Sequence, residues 1–135
     1  MKQHLALVAI VVADYDEAIA WYTEKLGFQL IEDTPDTVQG PGRRWVVVAP
    51  AGSTGTALLL ARASNDAQRA VIGAQTGGRV FLFLHTDDFE RDYRAYRSRG
   101  VTFVREPSQQ SYGQVAVFTD LYGNRWDLIE QPSGK

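Results

Sequence analysis

"ADYDEAIAWYTEKLGFQL", residues 13 to 30, holds a helix start, a helix face, a helix stop and the beginning of a strand. Asp14 stands where an N-cap belongs, and Glu17 three residues later completes a capping box, the pair that satisfies N–H groups left open by a first helical turn. Tyr15, Ile19, Tyr22 and Leu26 recur at helical spacing and form one apolar stripe. Gly27 supplies the left-handed residue that stops a helix, and "FQLIED" then alternates as a strand. The pattern returns in "TDDFERDYRAYRSRGVTFV", residues 86 to 104, with Phe89, Tyr93 and Tyr96 as the stripe and Gly100 as the stop. Matching the glycines gives an offset of 73 and matching the stripes gives 74, so the register of the repeat is open by one residue.

Working outward, each helix follows an apolar run, "LALVAIVVA" at residues 5 to 13 and "RVFLFLHTDD" at 79 to 88. The first follows Lys2 and imitates the apolar part of a secretion signal, but it is short and runs straight into an acidic helix start. Its counterpart lies mid-chain, and both read as buried strands. Downstream, "RWVVVAPAG" matches "GQVAVFTDLYG" as a strand entering a glycine turn, and "TALLLAR" matches "RWDLIEQ" as the strand leaving it. Each half therefore reads strand, helix, strand, strand, strand. Between them, "ASNDAQRAVIGAQTGG", residues 63 to 78, has linker composition, with room for a short helix around Ala67 to Ile72. The expected fold class is α+β: two βαβββ modules, about residues 1–62 and 79–131, within a single domain of 135 residues. Each module is too small to bury both faces of its sheet, so the two are expected to pair their sheets into a partly closed barrel with the helices outside. A small molecule is expected on the concave side.

Composition narrows the partners. Sixteen acidic against fourteen basic side chains leave no strong field for nucleic acid or an anionic membrane, and no apolar run approaches the twenty residues of a membrane span. The absence of cysteine removes disulfides, thiolate ligands and thiol nucleophiles, and fits a reducing compartment, so the expected location is the cytoplasm.

The helix-plus-"LGF" element, its second-half counterpart and the terminal "GQVAVFTDLYGNRWDLIE" together make the chain resemble the vicinal oxygen chelate superfamily, the group of glyoxalase I, bleomycin-resistance proteins and extradiol dioxygenases. The resemblance covers nearly the whole chain. It implies paired βαβββ modules, a homodimer and, in the enzymes, a divalent metal held by four side chains that binds two neighbouring oxygens of the substrate. The first ligand, usually His, stands seven residues before the Asp that begins the helix; here that position is Leu7. Its second-half equivalent is Val80 or Phe81, according to the offset. The next ligand, commonly Glu, falls among Leu58, Leu59 and Leu60, and the last, four residues after Gly123, is Asp127. Three of the four positions are apolar, which departs from the enzymes and puts their chemistry in doubt. His4 lies three residues from Leu7, on the opposite strand face, and reads as a solvated terminal histidine. His85 shares Asp127's candidacy as a weak metal ligand but reads first as a partner of a cap or of solvent.

Other chemistries find less support. Neither histidine has a serine and an acid at the spacing of a nucleophilic site, and "GPGRR", residues 40 to 44, lacks the strand-loop-helix setting of a phosphate loop and reads as a turn. Arg43 and Arg44 remain available to an anionic ligand approaching the cleft, whereas Arg91, Arg94, Arg97 and Arg99 read as a solvated helix face. The expected ligand-binding residues are Trp45, Phe81, Phe83, Tyr112 and Trp126, whose aromatic faces stack on flat ligands, with Asp127 as counter-charge or acceptor or else paired with Arg125 or Arg44. Three functional readings stay open: a metal-free binder of a small, aromatic or cationic molecule; a divalent-metal-dependent lyase, isomerase or dioxygenase with a rearranged site; and a structural or regulatory dimerisation module. No cofactor is expected under the first, and a divalent metal under the second.

Overall fold

Element order follows the pattern read from the sequence. In the computed structural model, which describes residues 1–130, the first unit, Met1–Ile72, contains β1 (Leu7–Val12), α1 (Tyr15–Lys25), β2 (Gln29–Pro35), β3 (Arg44–Ala49), β4 (Ala57–Arg62) and the short α2 (Asp66–Ala70). The second, from Gly73 onward, contains β5 (Val80–His85), α3 (Phe89–Ser98), β6 (Thr102–Gln110), β7 (Gly113–Thr119) and β8 (Arg125–Glu130). Residues 131–135, the end of the expected domain and second module, lie outside the described residues. Each unit has one four-stranded sheet, ordered β1-β4-β3-β2 in the first and β5-β8-β7-β6 in the second. The short helix for which the expected linker left room around Ala67 to Ile72 forms as α2, Asp66–Ala70, where Asn65 accepts the Gln68 N–H at 2.8 Å as its cap, and the boundary between the units falls just after it.

Both long helices begin at acidic caps. Asp14 accepts the Glu17 N–H at 2.8 Å and Asp88 accepts the Arg91 N–H at 3.1 Å, while Glu130 at the end of β8 accepts the Phe89 N–H. Positive φ at Gly27 and Gly100, 74° and 89°, ends them as expected. Tyr15, Tyr22 and Leu26 of the expected stripe are buried, joined by Ala18, while Ile19 is half-buried. In the second unit Phe118 gathers the rings of Tyr96, Phe103 and Trp126 at 5.5, 5.8 and 5.7 Å between centroids, making the aromatic core under α3.

The ladders explain the open register. Leu7 opposes Ala57 as Val80 opposes Arg125, and Ala9 opposes Leu59 as Phe83 opposes Asp127. Two residues separate Leu7 from Ala9 but three separate Val80 from Phe83, because β5 shifts register between Val80 and Leu82, around Phe81. The offset therefore rises from 73 to 74 within the strand, and the ten-residue α3, one shorter than the eleven-residue α1, restores 73 at the glycine stop.

Candidate functional site

Alternation along β8 sorts its side chains into two sets. Trp126 and Leu128 lie beneath α3, Trp126 stacked on Phe118 with only 3% of its surface exposed, so Asp127 between them points to the other face. On that face one row crosses the whole sheet: Phe83 opposes Asp127, Asp127 opposes Val117, and Val117 opposes Arg105. A register shift between Phe103 and Arg105 puts the arginine there; simple alternation from Phe103, which packs under α3, would have sent it to the helix side. At this face lies a cavity of about 340 Å³, lined by Gly78, Arg79, Val80, Phe83, Arg105 and Arg125. Phe83 presents 61% of its surface there.

The residues expected to bind a ligand distribute unevenly. Phe83 lines the cavity and Asp127 is half-buried in the row beside it. Trp126 is corrected to a core residue: as Asp127's neighbour in an extended strand it faces the opposite way. Phe81 sits half-buried at the β5 irregularity, and Val80 rather than Phe81 meets the cavity. Tyr112 is exposed at the turn between β6 and β7, and Trp45, in the first unit, is half-buried two residues from Val47 on the strand face away from α1. Arg105 and Arg79 were missed by sequence reasoning. The first is disguised by the bulge, and the second is the first residue of the run "RVFLFLHTDD", whose pattern reads only as a buried strand.

Other side chains named from the sequence are engaged elsewhere. Arg44 bridges Asp33 at 2.7 Å and Asp16 at 2.9 Å and donates its own backbone N–H to Tyr15 Oη, while Arg43 donates to the Arg62 carbonyl, so these two arginines serve the first unit's framework rather than an anion. The Arg44 guanidinium also holds the Asp33 carboxyl below its ordinary value. Arg91 and Arg94 form ion pairs with acids four residues away or adjacent at α3, as a solvated helix face does, and Arg97 pairs with Glu106 on β6 at 3.4 Å. His4 is exposed ahead of β1, and His85 is exposed at the end of β5, opposite Ile129 and two residues beyond Asp127's partner Phe83.

The DLYGN segment preceding β8 is structural. Asp120, 5% exposed, accepts the backbone N–H groups of Tyr122, Gly123 and Asn124 at 3.0, 3.1 and 3.0 Å and the Asn124 side-chain amide at 3.1 Å. Asn124 Oδ1 in turn accepts the Gln75 N–H at 3.5 Å. Gly73 lies so close to this turn that a Cβ would meet the Tyr122 carbonyl oxygen at 1.9 Å. The turn thus ties the start of the second unit to the base of β8 and so helps position Gly78 and Arg79 at the cavity.

Burial pushes the Asp127 carboxyl above its ordinary value, and the positive charge of Arg105 only partly opposes this. A carboxyl whose folded pKa is raised stabilises the fold most when protonated, fully below the unfolded value near about 3.9, and that contribution is lost as pH rises through the folded pKa. Asp127→Asn is therefore expected to melt at or above the parent temperature at pH 7, with the difference closing toward about pH 4 as the parent's carboxyl takes up its proton. Differential scanning calorimetry across that range checks it; a variant less stable at neutral pH would show that the charged form is the favoured one.

A family model, the Glyoxalase/Bleomycin resistance protein/Dioxygenase superfamily, matches residues 4–128. The chain belongs to this superfamily. An uncharacterized protein of Shewanella frigidimarina (strain NCIMB 400) is 59% identical over 130 residues, covering 96% of this chain and 95% of its own. Among solved structures, UcmS2 is similar with a TM-score of 0.80 at 33% identity, over 96% of this chain and 98% of that one. TnmS3, an antibiotic binding protein from Streptomyces sp. CB03234, gives 0.79 at 30% identity, over 97% and 98%.

Within the superfamily frame the metal positions can be read by strand face. Leu59 shares a row with Ala9 and Val47, whereas Leu58 and Leu60 belong to the buried set with Ile10 and Val48, so Leu59 is the first unit's equivalent of Asp127. The ladder likewise selects Val80 over Phe81 as the equivalent of Leu7. Leu7, Leu59 and Val80 offer no donor atom, and among the described residues no group of three or more His, Cys, Asp or Glu side chains is placed to hold a metal ion. A divalent ion that asks for about three to four protein donors does not fit this set.

Proposed function

We propose that this superfamily member is a metal-independent binding protein that holds a small planar molecule on the sheet face of its second unit away from α3. The observation that carries the reading is the replacement of three donor positions by Leu7, Leu59 and Val80, which leaves Asp127 alone. A single carboxylate cannot meet a divalent ion's coordination, while the exposed Phe83 ring, with Val80 beside it in the cavity lining, offers an apolar face to a flat ligand. The similarity to TnmS3, whose name describes antibiotic binding, supports the same class of function. His85 does not rescue the enzymatic reading: it opposes Ile129 while Asp127 opposes Phe83, and two donors on adjacent strands do not complete a site.

The test has two parts. Metal analysis of protein purified without chelators is expected to find no stoichiometric Ni, Zn, Mn or Fe; such a metal, lost on Asp127→Ala, would overturn the reading in favour of the lyase, isomerase or dioxygenase class. A thermal-shift screen of planar aromatic compounds is expected to find stabilisation, about 2.7 kcal/mol for a compound at a hundred times its dissociation constant. No shift with any of them would leave a dimerisation module as the better description. We also propose a homodimer located in the cytoplasm. The first follows the superfamily resemblance and is checked by light scattering, and the second rests on the cysteine-free composition. Among the described residues no helix is long and apolar enough to cross a membrane.

A further inference from the structure

Three arginines, Arg79, Arg105 and Arg125, converge on the cavity beside Phe83, and we infer that its ligand is an anion: an aromatic or otherwise planar molecule carrying a carboxylate or phosphate group. The inference rests on the binding reading above and adds the charge of what is bound.

Of the other arginines, Arg44, Arg69, Arg91, Arg94 and Arg97 form ion pairs at 2.6 to 3.4 Å, Arg43 donates to the Arg62 carbonyl, and the Arg62 guanidinium lies over the Tyr15 ring. Among the described residues Arg79, Arg105 and Arg125 make no ion pair of 4.0 Å or less, and all three line one cavity. They arrive by different routes: Arg79 from the segment leading into β5, Arg125 from the first position of β8 opposite Val80, and Arg105 from β6 through its register shift. This gathering occurs in a chain whose net charge is −2, so it is not the overflow of a basic protein. Asp127, in the row between Phe83 and Val117, is the acidic neighbour and feels the charge of Arg105, but it is one carboxylate against three guanidiniums and is not among the residues that line the cavity. A cation there would meet three like charges. An oxyanion would meet planar forks shaped for bidentate hydrogen bonds, in a concave site that strengthens the attraction. Phe83, 61% exposed at the same cavity, offers its face to the ring that carries the anion.

Isothermal titration of the full chain with four probes of one shape tests this: 2-naphthoate, 2-naphthyl phosphate, neutral 2-naphthamide and cationic 2-naphthylmethylamine. The expected result is that at least one anion binds ten-fold or more tighter than the amide, that the amine binds weakest, and that raising NaCl from 50 to 500 mM weakens only the anions. The two anions against one another identify the head group. Arg105→Gln with Arg125→Gln, both exposed positions, is expected to erase the preference for the anions over the amide, with a melting temperature close to the parent's showing that the variant is folded. Amide or amine binding as tight as both anions, or a preference that survives the double variant, would overturn the anion inference and leave the binding reading intact. Absence of binding by all four, with no planar compound active in the thermal screen, would overturn both.

Discussion

Replacing Asp120 with Ala is expected to destabilise the protein by about 4 kcal/mol, a large part of the roughly 5–15 kcal/mol that holds a domain of this size folded. The side chain is 5% exposed and its carboxylate accepts three consecutive backbone N–H groups and the Asn124 amide, all within 3.1 Å. Alanine would leave those donors without their acceptor in a place that water reaches poorly, and each stranded buried donor costs about 1–3 kcal/mol, less than additively for a cluster. The loss should spread beyond the turn. Gln75 donates to Asn124, and the Gly73 backbone packs against Tyr122, so the segment leading to Gly78 and Arg79 depends on the same turn. Asp120→Asn keeps the shape and one acceptor oxygen and should lose about half as much. Urea unfolding measures both; a lower midpoint at unchanged slope is the expected signature, and a change under about 1 kcal/mol for the alanine variant would mean that the turn is held by its backbone bonds alone.

Phe118→Ala is expected to cost a similar amount, about 3–5 kcal/mol, by a different mechanism. Phe118 is fully buried at the meeting point of three rings, T-shaped to Tyr96, tilted against Phe103 and stacked on Trp126. Truncation removes the transfer energy of the ring and leaves a cavity whose walls belong to α3, β6 and β8, three elements that cannot all close in at once. Phe118→Leu, which keeps most of the volume, should lose about 1–2 kcal/mol. Because Phe118 faces α3 while its neighbour Val117 opposes Asp127, ligand affinity measured on the folded fraction should change little. A ten-fold loss of affinity in Phe118→Leu would show that the two faces of the sheet are coupled.

Much of the fold was legible because it depends on neighbours in sequence. A cap three residues from the N–H it satisfies, a stripe at helical spacing and a glycine stop are local devices, and each operates at the positions where it was read, Asp14, Tyr15 and Gly27 among them. The missing metal donors were equally legible, since a leucine at position 7 or 59 has no donor atom in any fold. Period-two alternation also bears on Trp126 and Asp127, which as adjacent strand residues cannot share a face; grouping both in one pocket set aromatic character above strand geometry.

What only the tertiary structure decided is which side chains meet across strands. The extra residue at Phe81 selects Val80 for the cavity, and the register shift after Phe103 turns Arg105 from the helix side to the row with Asp127. Neither irregularity has a local signature in "RVFLF" or "TFVRE", because a bulge is a property of two paired strands rather than of one. The charge of the site changed with it. Asp127 alone suggested a cationic ligand, whereas the assembled sheet sets three arginines from separate segments around Phe83, a sum that no single stretch of the chain contains.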